Sequence, residues 1–369
     1  MKKKINHILP ALVLTASLGL TTVSCNGFLD EMPDNRTELN TDQKIAKLLV
    51  SAYADVSPNE LFELYSDNSD DSGPTYGYYK LSEQECYHWQ DTKEEYQDTP
   101  NSLWGGYYSA IAAANMALNA IEEKGNPASL DPQRGEALVC RAYCHFMLAN
   151  IFCNAYDTHA SQSLGVPYME EVETTVSPRY ERGTLEEVYR KVERDLLEGI
   201  DLISDDSYSV PKYHFTRKAA YAFAARFYLY YMKPDFSNCD RVIDFATRVL
   251  GTNPADLLRN WEALGNLSVN GNVQADAYIA SSNEANLLIS STVSNWGAIG
   301  SDYLIGPRYF HNQTLATSET CLSSGLWGSS DYFYLKPFST NGFVASILRK
   351  SGLYEGTYLY YMPVLFSTD

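Results

Sequence analysis

"GEALVCRAYCHFMLANIFC", residues 135–153, is the stretch from which the rest of the chain can be read. Wound at 3.6 residues per turn it is apolar on nearly every side, so the helix expected over about Pro132–Asn154 has no broad polar face for water and belongs in the middle of a domain. Its neighbours are striped instead. Over Leu103–Lys124, Trp104, Tyr107, Tyr108, Ile111, Asn115, Leu118 and Ile121 recur at three- and four-residue steps, and Gly125, Asn126 and Pro127 stop the helix. A polar loop closed by "LGVPYME" (164–170) follows the central helix. Thr184 then caps a third helix, with Glu187 three residues on completing a capping box. Its stripe is Leu185, Val188, Tyr189, Val192, Leu196, Ile200 and Ile203. Thr216 opens a fourth helix, "RKAAYAFAARFYLYYM", whose alanines allow a neighbour to approach closely. A fifth, Cys239–Leu250, offers Val242, Ile243, Phe245, Ala246 and Val249 as its apolar side. The starts at 184 and 216 are close to the ~34-residue step of tetratricopeptide helix pairs, although the full consensus of that repeat is absent. The fold class is therefore mainly α, a degenerate tetratricopeptide-like stack of helical hairpins in which each pair buries its stripe on the next. Beyond about Asn260, clustered Gly, Ser, Asn and Tyr replace the stripes, so 261–369 is expected to be an irregular, loop-rich region packed on a helical region spanning 25–260.

Residues 1–24 carry a different signal. Lys2, Lys3 and Lys4 precede the apolar run Ile8–Leu20, which is too short for the roughly 20 residues a spanning helix needs. It reads as a secretory signal peptide. Ser24 leads directly into Cys25, as in a bacterial lipobox whose cysteine is acylated to become the mature N-terminus, although Thr22 stands where leucine is usual. The alternatives are a plain exported protein with a free Cys25 and a cytoplasmic chain with a spurious apolar start. Acylation would anchor the chain to a membrane without spanning it. The formal charge is −18, and losing the three lysines of the signal takes the mature chain to −21. Such a surface repels phosphate backbones, so nucleic acid is not an expected partner.

Cys86, Cys140, Cys144, Cys153, Cys239 and Cys321 form no C-x-x-C pair, and the middle three lie in apolar surroundings where cysteine behaves as a small core residue. Cys140, Cys144 and the adjacent His145 fall short of the four ligands of a structural zinc site. No cofactor is expected. Calcium is the one candidate, because "DNSDDSG" (67–73) places Asn68, Asp70, Ser72 and Gly73 at the first, third, fifth and sixth positions of an EF-hand loop. The twelfth position is Tyr79 rather than a bidentate glutamate, which favours a solvated acidic turn.

The chain holds 29 tyrosines and 5 tryptophans, side chains that pair a flat apolar face with a polar edge. One group lies in "SDNSDDSGPTYGYYKLSEQECYHWQ" (66–90), where Tyr76, Tyr78, Tyr79, Tyr87 and Trp89 stand beside Asp70, Asp71 and His88. A second comprises Trp296, Tyr303, Trp327 and Tyr332 in Gly/Ser/Asn-rich sequence. A binder of neutral sugars needs such faces to stack on pyranose C–H groups and a few polar groups to orient hydroxyls. The candidate glycan contacts are Tyr76, Tyr78, Trp89, Asp71, Trp296, Tyr303 and Trp327. The competing reading is a surface loop whose aromatics fold back onto the helices. Trp104, on a helix stripe, reads as core. There is no G-x-S-x-G, H-E-x-x-H, Walker loop or G-x-G-x-x-G after a strand, and paired carboxylates for glycoside hydrolysis cannot be recognised without geometry.

In order along the chain, "CNGFLDEMP", "LWGGYYSAIAAANMAL", "EALVCRAYCHFMLANIF", "LGVPY", "RGTLEEVYRKVERDLLEGIDLI", "FTRKAAYAFAARFYLYYMKPDFSNCDRVIDFATRVL" and "SSNEANLLIS" resemble the SusD/RagB-type outer-membrane lipoproteins of Bacteroidetes, from about Cys25 to Ile289. The resemblance implies a lipid-anchored protein at the cell surface, with four tetratricopeptide-like helix pairs and an irregular ligand-binding face drawn from both aromatic regions. It implies a non-catalytic role: binding an oligosaccharide and passing it to a SusC-like TonB-dependent outer-membrane transporter. Asp30-Glu31 would then belong to a surface-export signal. Two other readings are a lipid-anchored glycan-degrading enzyme and a tetratricopeptide-type envelope scaffold without small ligand. "FCNAY" (152–156) lacks the glycine often found there in the family. "VLFSTD" (364–369) resembles the point from which members continue into further helices, so the chain is expected to stop before the C-terminal helix pair.

Overall fold

The computed structural model describes residues 39–67, 69–71, 73–74, 80–175, 178–267, 273–294 and 308–310. By contact the chain divides into Met1–Leu39 and Asn40–Asp369, and everything below belongs to the second unit. In order, its elements are α1 (Asp42–Leu48), α2 (Asn59–Leu64), β1 (Asp70–Asp71), α3 (Leu81–Tyr87), α4 (Pro100–Glu123), α5 (Asp131–Phe152), α6 (Leu185–Leu202), α7 (Arg217–Tyr230), α8 (Cys239–Leu250), α9 (Trp261–Gly265), α10 (Val273–Ile279) and β2 (Tyr309–Phe310). The fold is mainly α, as the periodicity requires.

The central helix is α5. It buries Gly135–Ala142 without a break and then Cys144–Ala149, packed by α4 on one side and α6 on the other. The α5–α6 contact is close because both helices bring a glycine to it. A Cβ on Gly135 would meet the Gly199 carbonyl oxygen at 2.7 Å, and one on Gly199 would meet Val139 Cγ2 at 2.7 Å. Nothing larger fits without separating the two backbones. Helix starts follow their sequence signals. Thr99 accepts from the Ser102 amide ahead of Pro100, and Thr216 accepts from the Ala219 amide. At Thr184 both halves of the capping box form, Glu187 N–H to Thr184 Oγ1 at 3.2 Å and Thr184 N–H to Glu187 Oε2 at 2.9 Å.

The loop after α5 is fixed by a buried polar network. Arg141 donates to Asp195 Oδ2 (2.6 Å) and to Asn115 Oδ1 (3.0 Å), and Tyr168 donates its hydroxyl to the same Asp195 oxygen (2.7 Å). His145 is held by main chain on both sides, Nδ1 against the Arg141 carbonyl (2.9 Å) and Nε2 accepting the Met169 amide (2.9 Å). Both ring nitrogens are therefore occupied, and His145 cannot join Cys140 and Cys144 around a metal. Burial drives its pKa down to about 3.

Two details depart from the stripes. Ile243 is 63% exposed while Phe245 and Val249 carry the buried side of α8, because a third apolar residue lies off the line those two define. Trp104 is half-buried rather than core, packed edge-on to Phe152 and tilted on Tyr108. In the described part of 261–294 short helices alternate with loop, and this segment is stitched back by Ile289 N–H to the Lys212 carbonyl and Val293 N–H to the Asp55 carbonyl. Among the described residues no helix is long and apolar enough to cross a membrane.

Candidate functional site

The first aromatic region is built on α2 and α3. Helix α3 reads LSEQECY, and it folds against its apparent polarity: Ser82, Glu83, Glu85 and Cys86 are buried while Leu81 is 42% exposed. The carboxylates go inward because their partners are there. Lys80 Nζ lies 3.5 Å from Glu83 and 3.8 Å from Glu60 of α2, and Glu85 accepts the Lys93 amide at 2.9 Å. Burial pushes Glu60 up to about 8 against the opposing pull of Lys80, with Glu83 and Asp98 adding to the rise, and burial likewise raises Glu83. The Glu60–Lys80–Glu83 cluster is buried between α2 and α3, alongside the buried apolar side chains Leu61, Leu64 and Cys86.

Past the end of α3 the chain turns sharply. Trp89 sits at φ 55°, in the left-handed region that a bulky side chain enters only at a cost of about 1–2 kcal/mol, its amide bonded to the Cys86 carbonyl at 2.9 Å. The turn throws the indole outward, where it is 73% exposed. It does not hang loose. Tyr65, the residue that ends α2, stacks on it with ring centroids 4.4 Å apart and planes 15° from parallel. A rigid aromatic shelf results, one side backed by Tyr65 and the rest in water.

Beside this shelf β1 pairs antiparallel with β2, Asp70 opposite Phe310 and Asp71 opposite Tyr309. Arg308 grips Asp71 with two parallel bonds, Nε to Oδ1 and Nη2 to Oδ2, both 2.6 Å. Those bonds, together with the Gly73 amide, hold the Asp71 carboxyl below its ordinary range. Tyr309 is buried under the pair, 4.7 Å from Tyr87 and edge-on to His88. The chain thus brings the β1 residues and those of 308–310 to one place.

Of the residues singled out from sequence, Trp89 stands where a ligand ring could stack. Asp71 lies nearby with both oxygens bonded to Arg308, so the pair shapes the surface beside the shelf. Tyr76, Tyr78, Trp296, Tyr303, Trp327 and Cys25 lie outside the described residues, as do Asn68, Ser72 and Tyr79 of the calcium pattern. Among the described residues no group of three or more His, Cys, Asp or Glu side chains is placed to hold a metal ion. Tyr65, Arg308 and the buried Glu60–Lys80–Glu83 cluster escape a reading of the sequence. Tyr65 and Glu60 sit in ordinary helical sequence, and nothing local marks Arg308.

Comparison with known proteins bears on the same region. A family profile described as "Starch-binding associating with outer membrane", of the SusD-like group, matches residues 27–229, more than half of the chain. The chain belongs to the SusD-like family. Two solved structures agree with the helical architecture. One is a Bacteroides vulgatus protein described as sugar-binding, 21% identical, with a TM-score of 0.54 over 72% of this chain and 59% of its own. The other is a SusD superfamily protein of the same species, 21% identical, with a TM-score of 0.52 over 76% of this chain and 62% of its own. A laminarin-binding SusD-like protein is also similar, at 20% identity and a TM-score of 0.44, over 63% of this chain and 50% of its own. Over these three, the chain spans half to about three fifths of its relatives' length. Among curated proteins nothing matches. SusD-like proteins are carbohydrate-binding, non-catalytic and associated with the outer membrane. The family match includes the Tyr65–Trp89 shelf and ends well before Arg308.

Proposed function

We propose that this SusD-like chain is a cell-surface lipoprotein, acylated at Cys25, that captures an oligosaccharide and hands it to a SusC-like TonB-dependent transporter. The observation that carries the binding half of this reading is the Trp89 shelf. A bulky indole is held in a strained backbone conformation, pushed into solvent and stiffened from behind by Tyr65. Strain of that kind persists where the surrounding structure enforces it, and it clusters at ligand sites. A preorganised flat face costs little entropy when a pyranose lies on it. Tyr76 and Tyr78, close by in sequence, and Trp296, Tyr303 and Trp327 in the second aromatic region are the proposed further stacking partners, and Asp71 contributes through its grip on Arg308.

Affinity electrophoresis over a panel of plant, fungal and bacterial glycans, followed by calorimetry on any that retard the protein, tests the binding half. Retardation by at least one glycan is expected, and Trp89→Ala abolishes it. Co-purification of a TonB-dependent barrel from a Bacteroidetes host, and an acylated Cys25 by mass spectrometry, test the transport and anchoring halves. An unmodified thiol at Cys25 would remove the anchor.

A further inference from the structure

The bidentate pair between Arg308 and Asp71 joins residues 237 positions apart, and it does so beside the aromatic shelf. Three features set it apart from an ordinary surface ion pair. Both side chains are mostly shielded, at 14% and 26% exposure. The pair reinforces main-chain pairing at the same place, since Asp71 is itself opposite Tyr309 in the β1–β2 register. And the guanidinium lies 5.1 Å from the ring centroid of Tyr309, whose ring in turn packs on Tyr87 and His88, the two residues immediately before Trp89. A chain of contacts therefore runs from Arg308 through Tyr309 and Tyr87 to the turn that displays the indole.

We propose that Arg308 is a positioning residue for glycan recognition: its fork on Asp71 latches the distant 308–310 segment onto β1 and so sets the Tyr87–His88–Trp89 turn. This rests on the glycan-binding reading of the Trp89 shelf, but the latch itself is a statement about order in the free protein. The planar fork strengthens the latch, because a lysine would supply charge at one point and lose the second bond that fixes register.

The test uses the full chain in four forms: wild type, Arg308→Ala, Arg308→Lys, and the exchanged pair Asp71→Arg with Arg308→Asp. Hydrogen exchange of the free proteins is read at peptides covering 69–74 and 84–90, with α5 peptides as the folding control. Arg308→Ala is expected to raise exchange in both segments and leave α5 unchanged, Arg308→Lys to give an intermediate rise, and the exchanged pair to restore protection. On a glycan that binds wild type, Arg308→Ala is expected to weaken affinity about tenfold, and Arg308→Ala and Trp89→Ala together to weaken it no further than Trp89→Ala alone. Unchanged exchange at 84–90 in Arg308→Ala overturns the latch whether or not a ligand is known. Raised exchange with unchanged affinity overturns the positioning role. If wild type binds no glycan while exchange responds as described, the latch stands and the glycan reading falls.

Discussion

At Trp89 two demands on one residue pull apart. The backbone conformation at φ 55° suits glycine, while the stacked and exposed indole requires tryptophan. Trp89→Gly and Trp89→Ala remove the same ring, yet only glycine relieves the backbone. Trp89→Gly is expected to be more stable than Trp89→Ala by about 1 kcal/mol in denaturant unfolding, with glycan binding lost in both. Equal stability would mean that the turn is not strained. Glu60 poses a different conflict. Its carboxyl is raised to about 8 in the fold and returns to the ordinary glutamate range on unfolding, so between about 4.5 and 8 the folded state binds more protons than the unfolded one. Stability from this group is complete at the acid end of that window and is lost as pH rises through it. His145 works oppositely. Its pKa falls to about 3, so its contribution is complete above about 6.5 and is lost as pH drops. The two slopes overlap between about 4.5 and 6.5, which leaves 6.5–8 as the window where Glu60 shows without His145. Thermal melts across that interval are expected to decline in wild type and to flatten in Glu60→Gln, whose neutral amide mimics the protonated acid. A wild-type curve no steeper than that of Glu60→Gln would contradict the assignment.

At the scale of elements, glycine distinguishes the helix pair that must touch from the helix surface that is free. On α4, a Cβ added at Gly105 would have no atom within 4 Å, so Gly105→Ala is expected to stabilise by about 0.5–1 kcal/mol through helix propensity. Gly199→Ala, where the added carbon meets Val139 and the Gly135 carbonyl, is expected to destabilise by about 1–3 kcal/mol. Urea unfolding of the two variants decides between a close α5–α6 contact and a loose one. Much of this level was legible in sequence, and for a physical reason: α5 is apolar on nearly every side, and the Thr184–Glu187 box writes its own helix start. Helix α3 was not legible. Its four buried residues include two glutamates, and the partners Lys80, just outside the helix, and Glu60, on α2, are brought together with them only by the fold. Ile243 misled for a related reason, since a periodic stripe reports which residues could face inward and not how wide a strip the neighbour covers.

At the scale of the molecule, the helical stack serves as a frame on which short, irregular pieces are displayed. In the sequence Trp89 stands out because it closes a cluster of tyrosines. Its backing by Tyr65 and its link to Arg308 were invisible, because stacking partners and a fork across 237 residues are products of the fold and leave no local pattern. The central claim is that this SusD-like chain holds carbohydrate on the face built around Trp89. Isothermal titration of wild type and Trp89→Ala, both shown to melt cooperatively, against each glycan that retards the wild type in a native gel tests it most directly. The account requires saturable binding by wild type and at least a tenfold loss, about 1.4 kcal/mol, in Trp89→Ala. Equal affinity in the two proteins would contradict it.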